Sequence, residues 1–404
     1  MKIKFLKEII KKIIYLLFLP VIIILYIIRP FKKIQLCELR IETFGALLVE
    51  VEGYLRKKKF SNSSEKNLVI FYFYPKHSSQ QLKIMIERVL DVKSYSSFLK
   101  LLSNAIYFWS MKSHIITLDG FSILNCHDFQ KKKNVLDFNI KEKKQGEKLL
   151  ENLGIRRGDK WICIHNRDES YLEKKMTNQW PSHYGSWSYH SYRNFSVQSL
   201  KPAAEFFAEK GYFVLRMGKV VEEKLYSDNE KIIDYANTNL RSDFADMYLL
   251  ANCEAYFGGE SGVFAPTHVF KKPVYFINTS STHIYAQSKF NHYPFTFKRM
   301  KNLKTRKLLT MKEILKSNIA ECTDSETFKK NEIEVISNTS EEIKSFAIEA
   351  YNEINGTSTT NEEDAKIQNK FWSIYYNNVK KNKFGNIKPK LSTSFLRNNL
   401  DLIN

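Results

Sequence analysis

Between Asp159 and Asn278 the chain alternates short apolar runs with helix-patterned segments, and this alternation constrains the fold more than any other feature. Trp161–His165 (WICIH) is a continuous apolar run of strand length. Leu200–Lys210 has helical spacing and is followed by Gly211, at the position where helices are commonly closed. Tyr212–Gly218 (YFVLRMG) is a second strand with a glycine at its carboxyl end. Ser242 is a good N-cap with Asp243 and Asp246 in the first turn, and Phe244, Met247, Tyr248 and Ala251 share one face of the helix that follows. Ala255–Gly259 (AYFGG) runs into a glycine turn, Pro266 suits the first turn of a helix, and Val274–Asn278 (VYFIN) ends the series. Such alternation predicts an α/β fold, a parallel sheet with helices on both faces. Ligands of these sheets bind at the carboxyl ends of the strands.

A smaller α/β domain is predicted upstream, from Gln35 to about Leu150. Leu68–Tyr74 is an aromatic-rich strand followed by a helical QQLKIMIERVL, and His114–Gly120 is a further strand ending in a turn. Lys141–Lys148 begins a solvated helix leading into the next domain. Beyond Lys289 the chain is polar, with helices expected near Glu341–Glu353 and Lys366–Asn377. The expected divisions are 1–34, 35–150, 151–345 and 346–404.

The first 34 residues are different in kind. An apolar run from Ile13 to Ile28 is bounded by Lys11 and Lys12 before it and by Arg29, Lys32 and Lys33 after it. It is shorter than the roughly 20 residues of a spanning helix, and Pro20 interrupts it. No small-residue cleavage site follows, which disfavours a removable signal peptide. A monotopic or re-entrant anchor on an anionic, cytoplasmic leaflet fits best, a tilted span being the alternative, and deletion of residues 1–34 is expected to leave the fold intact.

Composition sorts the partners. Of 404 residues, 43% are hydrophobic and 14% aromatic, enough for packed domains, and the net charge of +20 predicts anionic partners. The five cysteines are scattered, with no C-x-x-C, which argues against a disulfide framework or a zinc ribbon.

Several clusters could carry chemistry. HNRDESYL follows a buried strand and supplies His165, Arg167 and Asp168; the guanidinium of Arg167 can fork onto phosphate oxygens. FGGESGVFAP supplies Gly259, Glu260, Ser261 and Gly262 ahead of a predicted helix start, an anion site for a diphosphate, with Glu260 suited to hydroxyls. HSYRN offers His190 and Arg193 on a polar aromatic surface. Arg216 and Gly218 stand where the second strand ends, and Arg241 precedes the Ser242-capped helix. An ordinary salt bridge or strand-to-helix turn explains each cluster taken singly. There is no P-loop, no H-E-x-x-H and no D-x-D, so neither a metal nor a cofactor is expected. Positive groups and amides would then stabilise a departing diphosphate directly.

HNRDESYL, HSYRN, GYFVLRMG, IDYAN, RSDFADMYLLANC and FGGESGVFAPTHVFKKPVYFIN, in this order, resemble a family of bacterial glycosyltransferases of polysaccharide and lipopolysaccharide biosynthesis. The resemblance extends more weakly from about Glu38 to the closing SFLRNNL. H-x-R with a late S-G loop is also distantly similar to fucosyltransferases of GT-B architecture, in which two Rossmann-like domains face a cleft. That likeness implies Arg167 on a β-phosphate, Ser261 and Gly262 on the diphosphate, and Asp234 or Glu260 on the nucleoside. It implies residues 151–345 as the nucleotide-sugar domain, 35–150 as the acceptor-side domain and 346–404 as a helical tail. Asp168 stands where those fucosyltransferases carry a second arginine. The closer family often has Gly-His after its first strand; this chain has none there, so the base falls to Glu42 or His77.

The resemblance implies a metal-independent hexosyl- or deoxyhexosyltransferase at the cytoplasmic face of the inner membrane. It would move a sugar from a nucleotide-sugar donor to a lipid-linked or surface glycan. Two other classes compete: a membrane-tethered hydrolase using Ser261, which lacks a G-x-S-x-G elbow, and a non-catalytic binder of anionic polymers. Lysines spread over the whole chain disfavour the binder, and no nucleic acid partner is expected.

Overall fold

The computed structural model describes residues 2–40, 44–60, 67–74, 79–94, 96–118, 133–170, 187–280, 293–320, 322, 324–378 and 390–404. The chain divides into two compact units, Met1–Phe138 and Asn139–Asn404. The division falls a little before the expected position because Asn139 caps helix Ile140–Asn152, through a capping box with Glu142, and so begins the second unit.

The first unit opens with helices α1 (Lys2–Leu17) and α2 (Leu19–Ile28), followed by β1 (Ile34–Leu39), α3 (Phe44–Phe60), β2 (Leu68–Phe73), α4 (Gln80–Glu87), β3 (Val92–Lys93) and α5 (Ser97–Phe108). The strands form a parallel sheet ordered β1-β2-β3, and Ile115 bridges to Leu36 on the free side of β1. Within α3, Glu52 and Arg56 form a buried ion pair at 2.5 Å. Glu52 also accepts the amides of Val135 and Leu136, while Arg56 donates to Asn134. The pair therefore holds the end of the unit against α3.

The N-terminal helices are not a detachable anchor. Ile22 and Leu25 lie in the same core cluster as Leu36, Tyr72, Leu102 and Ile106. Tyr15 is buried, and its carbonyl accepts the Trp109 indole N–H at 3.2 Å. Removing residues 1–34 would uncover this core.

The second unit contains α6 (Ile140–Asn152), β4 (Trp161–His165), α7 (Lys201–Glu209), β5 (Phe213–Arg216), β6 (Ile232–Ile233), α8 (Asp243–Asn252), β7 (Ala255–Gly258), α9 (Ala265–Val269), β8 (Val274–Ser280) and β9 (Phe295–Asn302). It continues with α10 (Met311–Lys316), α11 (Ser325–Lys330), β10 (Ile333–Ile336), α12 (Ser340–Ile354), α13 (Glu362–Asn378) and α14 (Thr393–Asn398). Its seven strands are ordered β10-β9-β8-β7-β4-β5-β6, all parallel except β10. Counted from β4, this is the 3-2-1-4-5-6 order of a doubly wound sheet, with the reversal point between β4 and β7.

The two-residue period of the strands makes both faces apolar. Ile162, Ile164, Val214, Phe257 and Tyr275 pack with Ala203 and Phe207 of α7 and with Phe346 and Ala350 of α12. On the opposite face Trp161 and Cys163 donate to the Leu249 carbonyl of α8. The α12 helix is thus part of the sheet's own core, and the expected separate tail is continuous with this unit. The described cysteines, 37, 163, 253 and 322, are all free and buried.

Candidate functional site

The strand order directs attention to the carboxyl ends of β4 and β7, where neighbouring connections leave in opposite directions and a crevice opens. His165 ends β4 and pairs in register with Gly258, which ends β7. The Gly259 amide donates to the His165 carbonyl at 2.9 Å, which brings the HNRD and GGESG segments side by side. A β-carbon on Gly258 would lie 2.4 Å from the His165 carbonyl oxygen; one on Gly259 would meet the Phe195 ring at 2.7 Å. Gly258 is there because the two backbones approach this closely, and Gly259 because the Phe195 ring lies against it.

Three cations converge on this end of the sheet. Arg167, buried, donates to the His190 carbonyl at 3.2 Å and to Asn194 Oδ1 at 3.0 Å. Arg193 donates to the Glu260 carbonyl at 2.7 Å, and its buried Nε has no hydrogen-bond partner among the described residues. Lys298, on β9 and only 2% exposed, donates to the Asn194 carbonyl at 2.5 Å. Asn194 is the hub, since its side-chain amide also donates to Glu169 at 2.9 Å.

The electrostatics of this cluster are unfavourable without an anion. Burial and then the neighbouring charge of Arg193 push Arg167 down to about 9. Burial, followed by Arg167 and Arg193, pushes Lys298 down to about 7. Arginine keeps its proton at neutral pH regardless, so the repulsion persists as a standing cost. The Glu260 carboxyl is pushed up to about 7 by burial, partly offset by Arg193, Arg167 and the Ser280 amide. Half-protonated at neutral pH, it neutralises the cations only in part. An anionic group would complete the site.

A layer beneath holds the cations in place. Asn166, 2% exposed, donates to the Phe195 carbonyl and accepts from Arg216 at 3.1 Å. The fully buried Arg216 also reaches Asp234 at 3.2 Å. His165 donates from Nδ1 to the Met217 carbonyl at 3.0 Å, because only a protonated nitrogen can serve a carbonyl. Burial holds its pKa down to about 4, so it is neutral and ties β4 to β5.

No family model matches the chain, and no curated protein matches it. Among solved structures, the glycosyl transferase family 9 protein from Veillonella parvula aligns at a TM-score of 0.38 with 9% identity, over 61% of this chain and 80% of that one. The ADP-heptose LPS heptosyltransferase II of E. coli aligns at 0.34 with 10% identity, over 60% and 84%. Likenesses this weak establish neither fold nor activity.

The residues anticipated from the motifs divide into three groups. Arg167, His190, Arg193, Gly259, Glu260, Ser261 and Gly262 meet at the reversal point. Arg216, Asp234 and His165 lie beneath it as supports: Asp234 is occupied by Arg216, the Leu225 amide and Asn237. Asp168 caps its own loop through the Ser170 and Glu222 amides, and Gly218 packs closely over Val221. Arg241 is clamped by Asp243 and Asp246 at the start of α8. Glu42 and His77 lie outside the described residues.

One expectation changes in mechanism. Ser261 caps a single turn, Gly262–Phe264, through the Val263 amide, and α9 behind it has only five residues. Its dipole is too short to be the main anion-binding element, and side-chain cations take that role. Lys298 escaped the motif reading altogether. Its local sequence carried little signal: in FTFKRM the two-residue period sets the lysine opposite Phe295 and Phe297, on a face that reads as polar, yet both faces of β9 are buried there.

Proposed function

We propose that this chain is a glycosyltransferase that binds the diphosphate of a nucleotide sugar at the β4–β7 crevice and passes the sugar to a glycan. The observation that carries this reading is the gathering of Arg167, Arg193 and Lys298, half-satisfied and mutually repelling, where a doubly wound sheet binds its ligand. The motif resemblance supplies the reaction class. The acceptor hydroxyl attacks the anomeric carbon, the bond from that carbon to the diphosphate oxygen breaks, and the leaving diphosphate carries away the electron pair. The three cations stabilise the charge as it develops, with no metal ion assigned.

The remaining parts follow the same reading. The first unit receives a lipid-linked or surface glycan, lipopolysaccharide, capsule or O-antigen in type. Glu42 or His77 serves as base, and the architecture is of GT-B type. The transferred sugar is a hexose or deoxyhexose. The protein works at the cytoplasmic face of the inner membrane, on an anionic surface.

The hydrolase reading is weaker, because Ser261 Oγ is engaged with the Val263 amide and the Tyr256 hydroxyl, neither of them a base. Titration calorimetry with UDP, GDP, CDP and dTDP and their sugars tests the transferase. One of them should bind, and Arg167→Lys should weaken it about 10- to 30-fold, because an ammonium cannot replace a two-pronged guanidinium. Unchanged affinity in that variant would remove Arg167 from the site.

A further inference from the structure

The first unit has an apolar surface that its own fold does not cover. Helix α2 is two-sided: Ile22 and Leu25 are in the core, whereas Ile23, Ile24, Tyr26 and Ile27 are exposed. Along α1, Leu6, Ile9, Ile10, Ile13, Leu16 and Leu17 are exposed as well. The third contributor is α5, a helix distant in sequence, at whose carboxyl end Tyr107 and Phe108 are 62% and 44% exposed. Ring contacts join the helices: Phe18 lies 5.4 Å from Phe98, and Tyr15 lies 5.3 Å from Phe108. Single exposed apolar residues are ordinary, but a continuous group on three packed helices is not.

The border of this surface is basic. Lys11 and Lys12 on α1, Arg29 and Lys32 after α2, and Lys112 after α5 are all exposed. The Lys112 ammonium lies 5.1 Å from the centre of the Tyr107 ring. Apolar and aromatic side chains fringed by cations are complementary to the headgroup boundary of an anionic bilayer. A spanning arrangement does not suit the same helices. No single described helix is long and apolar enough to cross, the Ile9–Leu17 and Leu19–Ile28 segments are bent by 45°, and one side of α2 is committed to the core beneath β1.

We propose that α5 is a second membrane contact, so that the first unit lies face-on against an anionic lipid surface through α1, α2 and α5 together. Tyr107 and Phe108 enter the boundary between headgroups and acyl chains, and Lys112 meets lipid phosphate. This inference rests on the membrane-surface partner proposed above and adds the residues and the orientation. A tether by the N-terminus alone would leave the unit free to tumble; three helices fix it, holding its acceptor side at a constant height over the lipid.

The test uses the full chain and sedimentation with vesicles of phosphatidylglycerol and phosphatidylethanolamine, against vesicles of phosphatidylcholine. The wild type should bind the anionic vesicles preferentially. The pair Tyr107→Glu and Phe108→Glu should lower that partition at least about tenfold, with the N-terminal helices intact. Tyr107→Ser alone, at an exposed position that leaves the core untouched, should lower it about threefold with unchanged circular dichroism and melting. If the wild type ignores anionic vesicles, the membrane reading itself fails. If it binds and both variants bind equally well, α5 has no part and only this inference falls. If light scattering instead shows a dimer that the variants dissolve, without vesicle binding, the surface belongs to a second copy of the chain.

Discussion

Lys298→Met is expected to raise the melting temperature of the ligand-free protein and to lower its affinity for a nucleoside diphosphate about a hundredfold. Both effects have one origin. Lys298 is 2% exposed and held down to about 7 by burial and by Arg167 and Arg193. A lysine so placed costs the folded state a few kcal/mol at neutral pH. Methionine fills the volume without the charge, although the Asn194 carbonyl then loses a donor. A net gain of about 2 kcal/mol corresponds to a rise of roughly 4–8 °C for a unit of this size. The same substitution removes one of the three cations from the proposed diphosphate site, worth roughly 2–3 kcal/mol in a desolvated setting.

The sign of the pH dependence follows from the folded and unfolded titrations. Below about 7 Lys298 is charged in both states and its burial cost is fully present. Between about 7 and 10.5 the unfolded chain binds the proton that the folded chain has lost, so stability rises with pH. Glu260 acts oppositely: its folded pKa is raised from 4.5 to about 7, so stability falls as pH rises across that interval. Together they predict a shallow stability minimum near neutrality, whose alkaline limb is absent from Lys298→Met. Thermal melts across pH measure this directly. A variant that melts lower and binds diphosphate normally would make Lys298 a structural residue.

Much of the second unit's architecture was legible because its determinants are local. WICIH, YFVLRMG, AYFGG and VYFIN are apolar runs of strand length, and Gly211 closes its helix with φ +93 as its position implied. The helices expected near 341–353 and 366–377 are observed as Ser340–Ile354 and Glu362–Asn378. What could not be read was the use of charge at a distance. Arg216 and Asp234 have the composition of ligand-binding residues, yet they bond each other beneath the site, and only the pairing of β5 with β6 brings them together. Lys298 joins Asn194 across 104 positions of sequence, a contact that no window reveals. The N-terminal run read as a separable anchor because apolar periodicity does not say whether lipid or protein covers a helix. In the structure the core covers one side of α2.

Gly258→Ala should cost about 3 kcal/mol or more and lower the melting temperature by roughly 6–12 °C. The added carbon would stand 2.4 Å from the His165 carbonyl oxygen and 2.9 Å from its nitrogen. Neither can withdraw as a side chain would: both belong to β4, which is held on its other side by β5. The only relief is separation of β4 from β7, which breaks the 2.9 Å bond from the Gly259 amide and widens the crevice under Arg167. The neighbouring position is the control. A β-carbon on Gly259 meets the edge of the Phe195 ring at 2.7 Å, and a ring can tilt aside where a backbone cannot, so Gly259→Ala should cost only about 1 kcal/mol. The two variants therefore set the same added methyl against backbone in one case and a ring in the other, and their melting temperatures report whether strand spacing or side-chain packing sets the width of the site. Equal losses would mean that the crevice is held by packing, and that the close backbone approach at Gly258 does not govern where the cations stand.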